Sequence, residues 1–416
     1  MVEVIAMIKR TIKKQIELSI KTKPVTLITG ARQVGKSTLA YEIKKEYDFN
    51  YVSLDDRRER TQAINDPELF LKMHNWPLII DEVQYAPALF DVIESIVNKQ
   101  KLETGNNNGM YILTGSQAYE LMNGVTESMA GRVSIIRMSP LSSSEIYGKE
   151  ELKFEIDPVK NQERISNYRI SVDELYKLIV RGMYPELYDK LDINTESFYS
   201  NYVDTYIERD VSQLINVKDK MKFQNFMEIL ASLTGQELVY DTIAKAVGVK
   251  VNTIQSWVSV LIAGEIIYLL QPYNELSIVK RIVKRPKIYF NDTGLACYLA
   301  RLNNEEVLKK SIFAGRFIET YIVNEIKKSY RNNGLKENFY YYRDNNQNEI
   351  DLIILENGTL HYVECKSGIS FNKSDIKSFR QLDDTKYKKG SSCIICNTDS
   401  IYTIDEDVFA LPITII

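Results

Sequence analysis

The sequence is poor in the residues that build soft-metal sites: it has four cysteines and two histidines in 416 residues. Cys297 and Cys365 stand apart, and Cys393 and Cys396 share the apolar run SSCIICN, which reads as a buried strand. No second cysteine pair exists, and His74 and His361 are distant in sequence, so a four-ligand zinc site is not expected. Long hydrophobic runs are absent as well. None reaches the roughly 18–20 apolar residues that a membrane span needs, and the N-terminus, with Lys9, Arg10, Lys13 and Lys14, lacks a cleavable apolar core. The expectation is a cytoplasmic protein without a membrane partner. The net charge is −3, so no global positive field advertises nucleic-acid binding. Any such contact must come from local patches, of which Lys280-Arg-Ile-Val-Lys-Arg-Pro-Lys287 is the densest, and a solvated face explains that run as readily.

What is present is the composition of a folded chain, 44% hydrophobic and 26% charged. A single core stops growing near 250–300 residues, so this length implies several domains. Apolar positions recur at helical spacing from Ile8 to Ile20, and Pro24 then precedes an apolar strand, Val25–Thr29. Further strands are expected at Tyr51–Leu54, Pro77–Ile80 and Met110–Thr114, with a helix from Pro87 to Lys99 and a loop at Gly105-Asn-Asn-Asn-Gly109. Strands alternating with helices predict an α/β fold, a parallel sheet covered on both faces. Beyond Glu145 the sequence becomes charged and helical. From Phe223 to Tyr273 three short helices lead into a β-like segment, and after Lys287 a long helix alternates with Tyr-rich and Ile-rich strands.

Gly30-Ala31-Arg32-Gln33-Val34-Gly35-Lys36-Ser37 follows a strand and opens a helix, the context that turns the P-loop pattern into a signal. The glycines let successive amides, with those of the loop residues through Thr38, point at phosphates. Lys36 is placed to bridge the β- and γ-phosphates of ATP and Ser37 to ligate Mg2+. Pro77-Leu-Ile-Ile-Asp-Glu82 then delivers two carboxylates to a strand end, where ligands of open α/β sheets bind. Asp81 is expected to hold Mg2+ through water and Glu82 to polarise the attacking water. Thr114 and Ser116, at the end of the next strand, are candidates to hold that water, although a simple Thr-Gly-Ser turn is the plainer reading.

The ARQVGKST loop, the IIDEVQ and LTGSQ strands and Met129-Ala-Gly-Arg132 together resemble a prokaryotic AAA+ ATPase family whose C-terminal half is a long uncharacterised domain. Arg181-Gly-Met-Tyr-Pro-Glu186, Tyr206-Ile-Glu-Arg-Asp210, Tyr289-Phe-Asn-Asp-Thr-Gly-Leu295 and the EID and ECK motifs extend the resemblance over nearly the whole chain. The resemblance implies an arginine finger, and Arg132 matches its position; a surface arginine is the alternative. A trans-acting finger in turn implies a homo-oligomer.

Asp241 to Val258 reads as helix, turn, helix, with Gly248 at the turn and Asn252 capping the second helix. Lys250, Asn252, Thr253, Gln255 and Ser256 would face DNA, yet the same fold serves equally as a protein-binding module. Farther on, Glu349-Ile-Asp-Leu-Ile-Ile-Leu-Glu356 and Thr359-Leu-His-Tyr-Val-Glu-Cys-Lys366 flank Asn357-Gly358, a strong hairpin signal. Pairing outward from this turn sets Glu356 against Thr359, then Asp351 against Glu364 and Glu349 against Lys366, and these last four share one face. Opposed carboxylates repel unless a cation lies between them, and a divalent metal held by Asp351 and Glu364 would serve. The spacing, with Glu319 on the preceding helix and Lys366 beside Glu364, resembles the PD-(D/E)xK nuclease superfamily, although no Pro-Asp precedes Asp351. A degenerate fold carrying only an ion-pair surface fits the same residues.

These readings divide the chain into an AAA+ P-loop ATPase domain at 1–148, a helical lid or linker at 149–222, a winged helix at 223–286 and a nuclease-like α/β domain at 287–416. The function they predict is a Mg2+-dependent ATPase that acts on nucleic acid, with Glu319, Asp351, Glu364 and Lys366 as a possible second catalytic site. The rival is a nucleotide-dependent switch that binds protein partners.

Overall fold

The computed structural model describes residues 8–116, 129–167, 169–189, 193–206, 220–273, 285–382 and 385–416. Gln117, residues 207–210 of the Tyr206 motif and residues 280–284 of the basic run lie outside them.

A helix, α1 (Lys13–Thr22), precedes the first strand, β1 (Val25–Thr29), and α2 (Lys36–Tyr47) follows the glycine loop. Then come β2 (Asn50–Ser53), α3 (Arg57–Asn65), α4 (Pro67–Met73), β3 (Leu78–Asp81), α5 (Leu89–Thr104), β4 (Tyr111–Gly115) and β5 (Val133–Arg137). The five strands pair in parallel in the order β2-β3-β4-β1-β5. β1 is fully buried, as a parallel strand covered on both faces must be. Side chains alternate across it, so that Val25 and Leu27 join one apolar cluster and Ile28 another. The strand ends that carry Gly30 and Asp81 therefore lie on the same edge of the sheet.

The middle of the chain contributes helices Lys220–Ser232, Tyr240–Val247 and Val251–Ala263 and an antiparallel sheet of β6 (Gln236–Glu237), β8 (Lys287–Phe290) and β7 (Ile267–Leu270), in that order. Here the structure differs from the expected division of the chain. The strand after Pro286 pairs with β6 and β7 rather than with the C-terminal sheet, because Ile288 and Phe290 are buried against the middle helices' apolar residues. Gly248 ends its helix in the left-handed region, as the turn reading requires. Asn252, however, is not a cap. Lys250 occupies that position without a side-chain hydrogen bond, and Asn252 lies inside the helix with its side chain exposed.

The C-terminal sheet holds seven strands. Six follow the order β14 (Tyr402–Asp405), β15 (Val408–Pro412), β13 (Ser392–Cys396), β11 (Thr359–Cys365), β10 (Glu349–Glu356) and β9 (Phe339–Arg343), and β12 (Lys388–Lys389) pairs with β11. All five residues of β13 are buried, including both cysteines. The hairpin has the register expected from its turn, from Glu356 opposite Thr359 to Leu352 opposite Val363, and one further step brings Asp351 level with Glu364.

The long helix Ala314–Asn332 binds this sheet to the P-loop part. Its Glu325 carboxylate accepts the backbone N–H of Ser143 at 2.8 Å, and its Lys328 ammonium donates to the Leu141 carbonyl at 2.8 Å, both in buried surroundings. Apolar residues from all three parts, Ile28, Phe226 and Val363 among them, belong to one continuous buried cluster. Among the described residues no single helix is long and apolar enough to cross a membrane.

Candidate functional site

The glycine loop closes on the backbone of β5's end. A Cβ at Gly30, whose φ is +152°, would come 2.3 Å from the Met138 carbonyl oxygen, so only glycine fits. Gly35, with φ +93°, is the N-cap of α2 and sends the chain into the helix. Ala31 and Val34 pack inward, Arg32 is half-buried, and Gln33 and Thr38 are exposed at the loop's rim. Lys36 is only 5% exposed, and its ammonium donates to the carbonyls of Gly30 (2.9 Å) and Ala31 (2.7 Å). Burial lowers its pKa to about 8, with Glu82 acting in the opposite direction.

That shift has a measurable consequence. Between pH 8 and 10.5 the unfolded chain still holds a proton on Lys36 that the folded chain has lost, so stability without nucleotide should rise with pH across this window. ATP phosphates favour the charged lysine, so ATP binding at pH 9 should take up protons. Calorimetry in two buffers of different ionisation enthalpy reads this directly; heats that do not depend on the buffer would contradict it.

Asp81 is the hub beside the loop. Its Oδ1 accepts from Ser37 Oγ at 2.9 Å and from the Thr114 hydroxyl, and its Oδ2 from Tyr51 Oη at 3.1 Å. Hydroxyl and carboxylate oxygens gathered at one point are the donor set of a hard cation, so Mg2+ fits here with Ser37 and Asp81 as its holders. Glu82 turns into the left-handed region at φ +58°, and its N–H donates to Thr114 Oγ1 at 3.2 Å. The Gln84 amide donates to its carboxylate, and Ser116 Oγ stands 3.5 Å away. Burial raises the pKa of Glu82, with the Gln84 hydrogen bond and Lys36 opposing. The structure thus assembles Lys36, Ser37, Asp81, Glu82, Thr114 and Ser116 at one sheet edge.

Arg132 is elsewhere. Its carbonyl accepts from Val25 N at the start of β1, about 16 Å of strand away from the loop at roughly 3.3 Å per residue. Its guanidinium is held on α5 by Asn98 Oδ1 (2.7 Å) and Glu94 (3.1 Å).

The C-terminal candidates also meet, but around a group the sequence reading did not select. Lys287, 1% exposed on its side chain, places its ammonium 2.8 Å from Glu319, 2.5 Å from Glu349 and 3.4 Å from Asp351. Lys366 pairs with Glu364 at 2.6 Å. Glu349, expected to face Lys366 as an ion-pair partner, instead bonds Lys287 and lies 3.6 Å from Arg343. Of the two opposed carboxylates, Asp351 thus meets a lysine of β8 and Glu364 meets Lys366. Among the described residues no three of His, Cys, Asp and Glu converge closely enough to hold a metal ion.

Two further residues at the loop escaped the sequence reading. Arg10, buried, donates to the Val34 carbonyl at 2.7 Å and the Ser139 carbonyl at 2.6 Å, and its Nε lies 3.2 Å from Glu145. Pro185, from the Arg181–Glu186 turn, would lie 3.7 Å from a Cβ on Gly35. Buried Asp292 fixes that turn by accepting the Met183 N–H at 2.6 Å. No local pattern announces either contact.

With this geometry, comparison with known proteins is direct. Residues 22–147 match the AAA-domain family. The chain carries an AAA domain. Residues 172–306 and 314–416 each match a domain of unknown function, and the first of these spans β8 together with β6 and β7. Uncharacterized proteins of Mycobacterium bovis and Mycobacterium tuberculosis are each 24% identical over 358 residues, covering 86% of this chain and 74% of theirs. Among solved structures, a Walker-type ATPase of Pyrococcus abyssi has a TM-score of 0.40 at 14% identity, covering 69% of this chain and 94% of that one. A RuvB variant of Thermotoga maritima has a TM-score of 0.32 at 15% identity, covering 63% and 90%. Scores this low carry no functional information. The five-stranded parallel sheet and the loop geometry place the AAA domain in the P-loop ATPase fold.

Proposed function

We propose that this chain is a Mg2+-dependent ATPase that assembles with copies of itself and acts on nucleic acid. The observation that carries the ATPase reading is the meeting of Ser37 and Thr114 on Asp81, with Glu82 steadied next to it by Gln84. Mg2+ bound by Ser37 and Asp81 would neutralise charge on the β- and γ-phosphates. Lys36 then leaves the loop carbonyls for those phosphates, and the loop amides cradle them. Glu82 orients water in line with the γ-phosphate, and Thr114 fixes the backbone N–H of Glu82 so that the carboxylate keeps its aim.

Assembly is supported by the place of Arg132, at the sheet end opposite its own loop. An arginine there reaches an ATP only on a neighbouring copy, once its ties to Glu94 and Asn98 give way. The nucleic-acid role is supported by the middle part. Helices Tyr240–Val247 and Val251–Ala263 meet at 104°, within the usual range for helix-turn-helix units, and the antiparallel strands β7 and β8 come after them, as in a winged helix. The second helix buries Ile254, Trp257, Val258 and Leu261 while exposing Asn252, Gln255 and Ser256, with Lys250 exposed just before it.

One experiment tests these parts together: ATP turnover with and without duplex DNA, for wild type, Arg132→Ala, Lys36→Ala and an equal mixture of the two variants. DNA should raise wild-type turnover, and the mixture should regain activity that neither variant has. No recovery would remove the trans finger. Turnover indifferent to DNA, with no DNA retained by the protein, would leave the protein-binding switch, the reading that Lys287 among the C-terminal carboxylates favours.

A further inference from the structure

A divalent cation at the C-terminal site would need the oxygens of Glu319, Asp351 and Glu364 within about 2.0–2.6 Å. In this structure those residues do not fit one. The Lys287 ammonium is bonded to Glu319 and lies within 3.4 Å of Asp351, and like charges cannot share a space of a few ångströms. Its neighbours are acids on several sides, Glu319 at 2.8 Å, Glu349 at 2.5 Å and Asp351 at 3.4 Å. The ammonium is charged and does electrostatically what a metal would do.

A second observation separates this arrangement from an ordinary buried salt bridge. Glu364 is 5% exposed, and while its Oε1 accepts from Lys366, its Oε2 is buried with no hydrogen-bond partner. A buried carboxylate oxygen left without a donor is costly and uncommon. The Lys287 cluster satisfies Glu319, Glu349 and Asp351, and it leaves that one oxygen unanswered. A cation coordinating several oxygens would answer it, whereas an ammonium, which donates three hydrogen bonds, is already committed to the other acids.

The origin of the lysine matters too. Glu319 sits on the long helix, and Asp351, Glu349 and Glu364 on the C-terminal hairpin, but Lys287 opens β8 of the middle sheet. The cation is lent by a different part of the fold from the one that supplies the acids. Tyr289, two residues along β8, adds a hydrogen bond to Glu319 at 2.6 Å.

We propose that the C-terminal carboxylates form a latent divalent-cation site whose cation position Lys287 occupies, so that the middle sheet keeps it closed to metal. The inference rests on the nuclease-like reading of the hairpin only for the class of cation. It predicts different responses to Mn2+ for wild type and variant. With Lys287 present the site should ignore Mn2+. With Lys287 replaced by Met, the carboxylates lose their counter-charge, and Mn2+ should both bind and restore stability.

The test uses the full chain in an Asp81→Asn background, which disables the P-loop cation site, and reads Mn2+ uptake by electron paramagnetic resonance and melting with Mn2+ or EDTA. The background protein should take up no Mn2+ at the hairpin and melt identically in both. Lys287→Met should melt lower in EDTA, recover in Mn2+ and take up about one Mn2+ per chain, all abolished by adding Asp351→Ala. If Lys287→Met is too unstable to purify, Lys287→Gln, whose amide still donates to a carboxylate, takes its place. Asp351-dependent Mn2+ uptake with Lys287 intact would overturn the proposal. So would a folded Met or Gln variant that neither binds Mn2+ nor gains stability from it, which would mark the cluster as a structural ion network only. None of these outcomes bears on ATP turnover, so failure here and failure of the ATPase reading are distinguishable.

Discussion

Replacing Glu82 by Gln should leave ATP bound and stop its turnover. Gln keeps the size and the contact to Gln84 but cannot accept a proton from water, and loss of a positioned general base costs about 10²–10⁴-fold in rate. Lys36→Ala should act differently. It removes the charge that meets the β- and γ-phosphates, so binding and turnover should fall together. The pair is read by nucleotide-binding titration beside single-turnover phosphate release. A Glu82→Gln protein that hydrolyses at the wild-type rate would remove Glu82 from the role of base, and attention would move to Ser116, 3.5 Å from its carboxylate. The raised pKa of Glu82 has a related effect: the group stays protonated to higher pH than an ordinary glutamate, so turnover should be lost at correspondingly higher pH on acidification.

Arg10→Ala should unfold the chain more easily than any exposed charge change, by about 3 kcal/mol. The guanidinium is buried and donates to two carbonyls that would lose their partners, and Glu145 would lose its opposing charge. Urea denaturation at pH 7 measures the loss. Because one of those carbonyls belongs to Val34 inside the glycine loop, ATP affinity should fall as well, even in conditions where the variant is fully folded. Arg10→Lys should recover part of both, since one ammonium can reach one carbonyl but not span the two. A stability change below about 1 kcal/mol would show that the network is replaceable by water.

The P-loop, the Asp81-Glu82 strand end and the hairpin were legible in the sequence because each is a local pattern with a local cause. Glycines at Gly30 and Gly35 mark left-handed backbone. An apolar strand ending in acids marks a sheet edge. Asn357-Gly358 sets a two-residue turn, and the turn sets the register that brings Asp351 level with Glu364. The cap of the second middle helix was misread for an equally local reason. Asn252 is a good cap by type, but the chain leaves the turn at Gly248 early enough that Val251 is already helical, and Lys250 takes the cap position without bonding.

What only the tertiary structure decided is where charges end up. Arg10 stands among N-terminal lysines, and Lys287 closes a basic run that reads as a solvated face or a nucleic-acid patch, yet both are buried. Their partners lie far along the chain: Arg10 meets Ser139 across 129 residues, and Lys287 meets Asp351 across 64. Desolvation depends on everything packed around a group, so residue type and spacing cannot report it. The sequence alone determined that a P-loop would form at a strand end and which acids would share a hairpin face. Packing decided that the cation among those acids is a lysine from another sheet, because β8 pairs with β7 and β6 and so points Lys287 at the long helix and the hairpin.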